Sequence, residues 1–359
     1  MSIQDSLSIA IPCRASEPGL RQTLESLYEA CSHTQLPPGS ISELLVCING
    51  IRSGEACAPL QAVREFCQQH KIECEEVWIA HQRVEKEAEK RRPEKGMGES
   101  ERGRTGDHPS HSFFFPDSPI PRFPDSFPRC TVLLTDQKGK PPAWNTLWHW
   151  ATGTMVLFSD ADVRIDGDAV YALSLRMQQD ATLNLVAARE VPFLPNGGTL
   201  WSRIGAIPYR FDFGNAGGRL LLLRKAVLPN GIPEDLLLED AWLTVAVGKA
   251  HVAKEWNARV CFVPPTTWRD YFAERVRTEG GKLQIQREHG QLLAAGPIAE
   301  YRWSQFWQKI SPSEYPLVAL STVIKGVARL WARVALLRKD SYSLYHPFSS
   351  TKEWKGQVE

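Results

Sequence analysis

Asp160-Ala161-Asp162 follows Thr154 to Ser159, an apolar run that reads as a buried strand. Two carboxylates therefore stand where a strand gives way to a loop, the edge at which open α/β sheets bind ligands. Alternate residues on an extended segment can converge on one hard cation, which prefers oxygen ligands. A divalent ion held in this way clamps a diphosphate and neutralises a departing one. Acidic pairs in loops are common, and most are solvated turn residues, so the company this pair keeps decides its meaning. Lys140, on a Gly-Lys-Pro-Pro turn, offers an ammonium for a diphosphate or a nucleoside, or else a plain surface charge. Glu239-Asp240 opens a segment that reads as a helix, where acids often serve only as caps or dipole partners.

The elements that must position these groups alternate. Leu7 to Ile11 reads as a short buried strand, and Leu20, Leu24, Leu27 and Tyr28 follow at helical spacing. Leu44 to Ile48 is a second strand, Pro59 to Gln69 a helix and Val77 to Ala80 a third strand. This pattern predicts a mostly parallel central sheet flanked by helices, an α/β fold. Residues 82–108 are dense in Glu, Lys, Arg and Gly, and 109–129 are rich in Pro, Ser and Phe. The stretch 82–129 reads as a low-complexity, flexible insertion. Its Phe113-Phe114-Phe115 cluster, with Phe123 and Phe127, is suited either to cover a cleft or to stay on a surface loop. Order returns with a strand at Thr131 to Thr135, a Trp-rich helix from Pro142 to Ala151, the Asp-x-Asp strand and a strand at Leu183 to Ala188. Residues 189–219 read as loops, Leu237 to Ala250 as a helix and Ala258 to Val263 as a late strand. After Trp268 the chain reads as mostly helical.

Composition narrows the class. Of 359 residues, 43% are hydrophobic and 23% charged, the balance of a globular protein. A formal net charge of +1 argues against a chain-wide nucleic-acid surface. The eight cysteines are scattered and show no zinc spacing, which predicts reduced thiols in a reducing compartment. The histidines lack metal-ligand spacing, and His149 and His251 read as structural. The first residues lack a secretory pattern, and no run approaches the roughly 18 apolar residues of a membrane span. The expected location is the cytoplasm.

Four segments carry a family resemblance. They are Ser8 to Pro12 leading to Leu20, Leu24 and Leu27; Gly139-Lys140-Pro141-Pro142-Ala143-Trp144-Asn145 with Asp160-Ala161-Asp162; Gly214 to Gly218 with Glu239-Asp240; and Arg269 to Arg277. Their order resembles the family 2 glycosyltransferases, inverting enzymes with the GT-A fold, over roughly residues 7 to 285. The resemblance implies a nucleotide-diphospho-sugar transferase fold with a catalytic domain at 1–285 and a helical C-terminal extension at 286–359. It implies a nucleoside diphosphate sugar donor, a UDP-sugar first, and Mn2+ or Mg2+ as cofactor. Asp160 would lie near ribose and metal, and Asp162 would ligate the metal. Asp240 would be the base that deprotonates the acceptor hydroxyl, with Glu239 touching the acceptor or orienting the aspartate. Pro12, Arg14 and Glu17 are placed to meet the nucleoside. Asn49 stands where the family usually carries an aspartate, which leaves guanine and thymidine sugars open. Lys140, Asn145, Arg275 and Arg277 complete the substrate set, although Val276 stands where many members carry a tryptophan.

Lys325, Arg329 and Arg333 form a basic stripe beside Leu317, Leu320, Ile324, Val327, Leu330, Trp331 and Val334. Such a helix either lies on an anionic membrane surface, at the inner face, or docks on the catalytic domain. The expected acceptor is a glycan or a lipid-linked acceptor, and no nucleic acid is expected as partner. Two other readings compete. A sugar-phosphate nucleotidyltransferase would share the core but would need a Gly-rich first loop, which is missing after Ile11. A non-catalytic binding protein would keep the fold without needing the two acidic pairs.

Overall fold

The computed structural model describes residues 6–32, 37, 40–79, 129–211, 216–294 and 308–337. The expected insertion at 82–129 lies outside them except for Arg129, as do its phenylalanines. In chain order, strand β1 (Leu7–Arg14) leads to helix α1 (Leu20–Ser32), β2 (Ile41–Asn49), α2 (Ala58–His70), β3 (Cys74–Trp78) and β4 (Cys130–Thr135). Then come α3 (Lys140–Trp150), β5 (Met155–Ser159), β6 (Arg164–Ile165), α4 (Ala169–Gln179) and β7 (Leu185–Pro192). A short helix α5 (Leu200–Ala206), β8 (Leu220–Arg224), α6 (Glu239–Val247), β9 (Val252–Phe262) and the long helices α7 (Trp268–Ala294) and α8 (Tyr315–Leu337) complete it.

The strands form one sheet in the order β3-β4-β2-β1-β5-β8-β7-β9-β6. From β3 to β5 every pairing is parallel. β8 then pairs antiparallel with both β5 and β7, and β7 pairs parallel with β9. Strands covered on both faces read as continuous apolar runs, and their alternate side chains divide between two layers. Ile9, Ile11, Leu44, Val46 and Leu157 pack with α1, α2 and α4. Ala10, Leu45, Cys47, Val156 and Phe158 pack on the other face with α3 and α6. There Trp144 and Trp148 of α3 stack on each other and Trp144 stacks on Phe158, with ring centroids 4.9 and 4.1 Å apart. Deleting a buried aromatic of this kind costs about 3–5 kcal/mol.

The structure corrects several sequence boundaries. β1 runs on through Pro12 to Arg14 rather than ending at Ile11. Its register with β5 ends at Ala10↔Phe158, so Pro12, which lacks an N–H, falls where only β2 pairs with it. Lys140 opens α3 instead of lying on the turn before it. The stretch 189–219 is not all loop: it contains the end of β7, α5 and two 3-10 turns. β9 begins at Val252, six residues before the expected Ala258. Helix α7 runs unbroken past residue 285, and its Ile285 belongs to the same apolar layer as α3 and α6.

α8 lies against α7. Its inner face is Ser321, Ile324, Ala328, Ala332 and Ala335, all but Ile324 small residues that allow close approach. Lys325 does not share the outward basic stripe: it is half-buried, and burial together with the charges of Arg275 and Lys282 holds its ammonium below the ordinary lysine value. No described helix is long and apolar enough to cross a membrane. The eight cysteines are free, and three of them are not scattered in space. The sulfurs of Cys67, Cys74 and Cys130 lie within 4.8 Å of one another at the start of the β3–β4 pair.

Candidate active site

The C-terminal ends of β1, β2 and β5 open onto a cavity of about 140 Å³. Pro12 and Arg14 reach it from the end of β1, Asn49 from the end of β2 and Asp160 and Asp162 from just beyond β5. Glu17, Lys140 and Arg277 complete that part of the wall. Eight of the twelve residues expected at the site from sequence therefore meet in one place. Gly19, just before α1, presses on the Asp-Ala-Asp turn: a Cβ there would stand 3.1 Å from Asp162 Cα and 3.3 Å from Ala161 O. Glu17 is buried and its carboxylate accepts the Gly19 N–H at 3.2 Å, so it caps this approach while facing the cavity. The Asn49 side-chain amide donates to Gly139 O, which fixes the turn that starts α3.

Lys140 is the electrostatic centre. Its ammonium binds Asp160 Oδ1 at 2.7 Å and also Glu239 Oε1. Burial pulls the Lys140 ammonium down, but Asp160 and Glu239 outweigh it and raise it above the ordinary lysine value. The adjacent carboxylates of α6 titrate apart. Burial works to raise Glu239, yet Lys140 and Arg277 hold it below the usual carboxylate range. Asp240 is pushed up to about 6, first by burial and then by the charges of Glu239 and Glu190. A pair of acids split in this way can hold one permanent charge and one exchangeable proton near neutrality.

Asp240 faces a second cavity of about 500 Å³, which also takes Arg275 and Arg277. The Ala216 N–H donates to Thr244 Oγ1 of α6, and that hydroxyl donates to Asp240 O. Gly218 lies so close that a Cβ on it would be 3.0 Å from Asp240 Cβ. The loop before β8 is thereby fastened over the aspartate. Arg275 is buried, with one end of its guanidinium on Glu274 and its Nε making no hydrogen bond among the described residues. Arg277, Arg219 and Glu274 line both cavities, so the two open onto a shared wall.

Two expected residues line neither cavity: Glu239, which reaches the site through Lys140, and Asn145, which stands apart from it. The Asn145 amide donates to Ile232 O at 2.7 Å and accepts the Ile232 N–H at 2.8 Å. It fixes the loop ahead of α6, and removing it would strand two buried backbone groups at about 1–3 kcal/mol each.

Sequence reading missed Arg219. Its Nη1 donates to Glu190 Oε1 at 2.9 Å and to Tyr209 Oη at 3.1 Å, and its guanidinium lies 3.5 Å over the Phe262 ring. Burial lowers this guanidinium, but the Tyr209 hydroxyl and the Glu190 carboxylate raise it well above the ordinary arginine value. Its one sequence signal was its place directly after Gly217-Gly218 and before an apolar strand.

The donor set around Asp160 and Asp162 is made of hard oxygens at a cavity wall, which fits a divalent cation such as Mg2+ or Mn2+. With Lys140 and Arg277 also lining it, the same cavity suits a polyphosphate.

The glycosyl transferase family 2 model matches residues 118–223. The mannosyltransferase PcManGT from Pyrobaculum calidifontis, solved with GDP-Man and Mn2+, superposes with a TM-score of 0.51 at 15% identity, over 94% of this chain and 75% of that one. Staphylococcus aureus TarS residues 1–349, solved with UDP, align at 14% identity and a TM-score of 0.44 over 94% and 89% of the two chains. Glucosyl-3-phosphoglycerate synthase from Mycobacterium tuberculosis aligns at 12% identity and a TM-score of 0.42 over 79% of each. No curated protein matches by sequence. The matched segment carries Lys140, Asp160, Asp162 and Arg219, and the chain shares its fold with the mannosyltransferase.

Proposed function

We propose that the chain transfers a sugar from a nucleoside diphosphate donor to an acceptor hydroxyl, with inversion at the anomeric carbon. The donor occupies the smaller cavity: nucleoside between Arg14, Glu17 and Asn49, diphosphate towards Lys140 and Arg277. Asp160 and Asp162 would hold a divalent cation, whose contribution is to neutralise the diphosphate as it leaves. The acceptor enters the larger cavity, and Asp240 takes its hydroxyl proton as the oxygen attacks. Glu239, kept ionised by Lys140, raises the basicity of Asp240. The observation that carries this reading is the shared wall: Asp240 stands in one cavity, Asp160 and Asp162 in the other, and Arg219 and Arg277 border both.

A uridine or a guanosine diphosphate sugar is the donor to try first. A metal-supplemented thermal-shift screen names it, since ligand binding raises the melting temperature by mass action. With that donor, Asp240→Asn keeps donor binding and lowers transfer by about 10²–10⁴-fold, the usual worth of a positioned base. Full transfer in the variant would remove Asp240 from the role. No turnover of any sugar nucleotide by the unaltered protein would favour a non-catalytic binding protein instead.

The outward face of α8 supports a further part of this reading, that the chain rests on an anionic membrane surface. Val323, Val327, Leu330, Trp331, Val334 and Leu337 are all exposed, with Arg329 and Arg333 exposed beside them.

A further inference from the structure

The cysteines show no metal spacing along the chain, yet three of them meet in space. Cys67 lies in the last turn of α2, Cys74 opens β3 and Cys130 opens β4. The two strands pair in parallel with Cys74 directly beside Cys130, so both side chains leave the sheet on one face, the face α2 covers. Between Cys67 and Cys74 the chain reverses through Lys71, a left-handed residue at φ 55°, and the Ile72 N–H donates to Cys67 O at 2.9 Å. The Cys130 N–H donates to Glu73 O at 2.8 Å, which sets the strand register at the same point. The backbone alone therefore brings the three thiols together.

Their sulfurs lie within 4.8 Å of one another. A metal ion with its sulfur ligands at about 2.3 Å holds three thiolates about 3.8–4.0 Å apart, so small rotations of these side chains close the set. A purely sulfur set selects soft ions such as zinc and copper(I), whereas magnesium and manganese suit oxygen. Cys67 and Cys130 are buried and Cys74 is half-buried, so two ligands are shielded and the third gives the ion a way in. Zinc would complete its four ligands with a water on that open side, and copper(I) is satisfied by three sulfurs. β3 gives such an ion a task. It is an edge strand whose side chains are all half-buried or exposed, so apolar packing does little to hold it.

We propose that Cys67, Cys74 and Cys130 form a three-thiolate site for a soft metal ion, zinc or copper(I), which ties the edge strand β3 to α2 and β4. The ion takes the place of the thiol protons, which pass to solvent, and nothing is oxidised. The site lies at the starting ends of β3 and β4, whereas the donor cavity lies at the finishing ends of β1, β2 and β5. Its role is structural, and it stands whether or not the donor reading does.

The test is optical titration of the full chain with Co2+, after treatment with a chelator and under a phosphine reductant. Thiolate-to-cobalt charge transfer absorbs in the near ultraviolet, and cobalt on the oxygens of Asp160 and Asp162 gives no such band, so the two sites are read separately. One equivalent of Co2+ should raise the band and Zn2+ should then abolish it, which identifies a zinc site. Capture of Cu+ from its bathocuproine complex without a cobalt band identifies a copper(I) site. The bound ion should raise the melting temperature by several degrees. Losing a group that merely orients a ligand costs about 10–100-fold in metal affinity, so Cys74→Ser should cost at least about a hundredfold. Cys74→Ala repeats the measurement if the serine variant melts early. Neither a cobalt band nor copper capture in the unaltered protein, or unchanged binding in the folded variants, overturns the proposal.

Discussion

Asp240 and Glu239 are neighbours in the chain with opposite protonation habits, and that difference yields a pH signature. Asp240 titrates at about 6, and a base works only when ionised. Its raised value means the working form is full above that point and is lost as pH falls through it. Transfer measured as kcat/KM should therefore decline about tenfold per pH unit below about 6, while nucleotide binding to the other cavity does not follow the same limb. A profile flat to pH 5 would show that another group takes the proton. At this scale the sequence was most legible where a motif has fixed local spacing. Asp160, Asp162 and Asp240 could be singled out because strand-end and helix-start positions are readable from neighbouring residues. Arg219 and Glu190 could not. Their importance comes from contacts across the fold, Arg219 with Glu190 and Tyr209. Asn145 is the converse case: its motif position suits a ligand group, while its amide is held on both sides by Ile232.

α8 illustrates what periodicity can and cannot assign among elements. Its apolar and basic residues were visible in sequence as one amphipathic pattern. The helix in fact has three faces: small residues against α7, exposed arginines, and a broad exposed apolar face that includes Trp331 at 62% and Leu337 at 84%. Sequence alone could not show that Ala328, Ala332 and Ala335 would face the protein while Val327, Leu330 and Val334 stay exposed, because close helix packing depends on the partner. The exposed face makes a direct prediction. The full chain should sediment with vesicles containing anionic lipid, and Trp331→Ser with Leu337→Ser should reduce that several-fold without shifting the melting temperature. Equal binding by the variant, or none by the unaltered chain, would leave α8 without a lipid role. The strand errors have a common origin. β1 and β9 were read short because a proline and a run of charged residues mark strand ends in isolation. In the sheet, Pro12 faces an unpaired side, and the start of β9 lies along β7 near an open edge.

Across the whole molecule the sheet has two parts. The ends of the parallel strands β1 and β2 and the turn after β5 line most of the smaller cavity, and β7, β9 and the residue before β8 border the larger one. The alternation of strand and helix made the first part legible from sequence. The second part was obscure because β8 inserts antiparallel between β5 and β7, a pairing that no local pattern announces. Lys140 joins the parts, with one hand on Asp160 beyond β5 and the other on Glu239 at the head of α6. Its ammonium is thus a resident counter-ion, and any metal arriving at Asp160 must compete with it. Removing that competitor has opposite effects on binding and on turnover. Lys140→Met should bind Mn2+ several-fold more tightly, read by the loss of free-ion paramagnetic signal, while the transfer rate falls because Glu239 and the diphosphate lose their cation. Weaker Mn2+ binding in the variant would mean that Lys140 organises the acidic turn instead of screening it. If the ion does displace the ammonium, it also loosens a clasp on α6, so loading the donor side would prepare the acceptor side and the two substrates would bind in a set order.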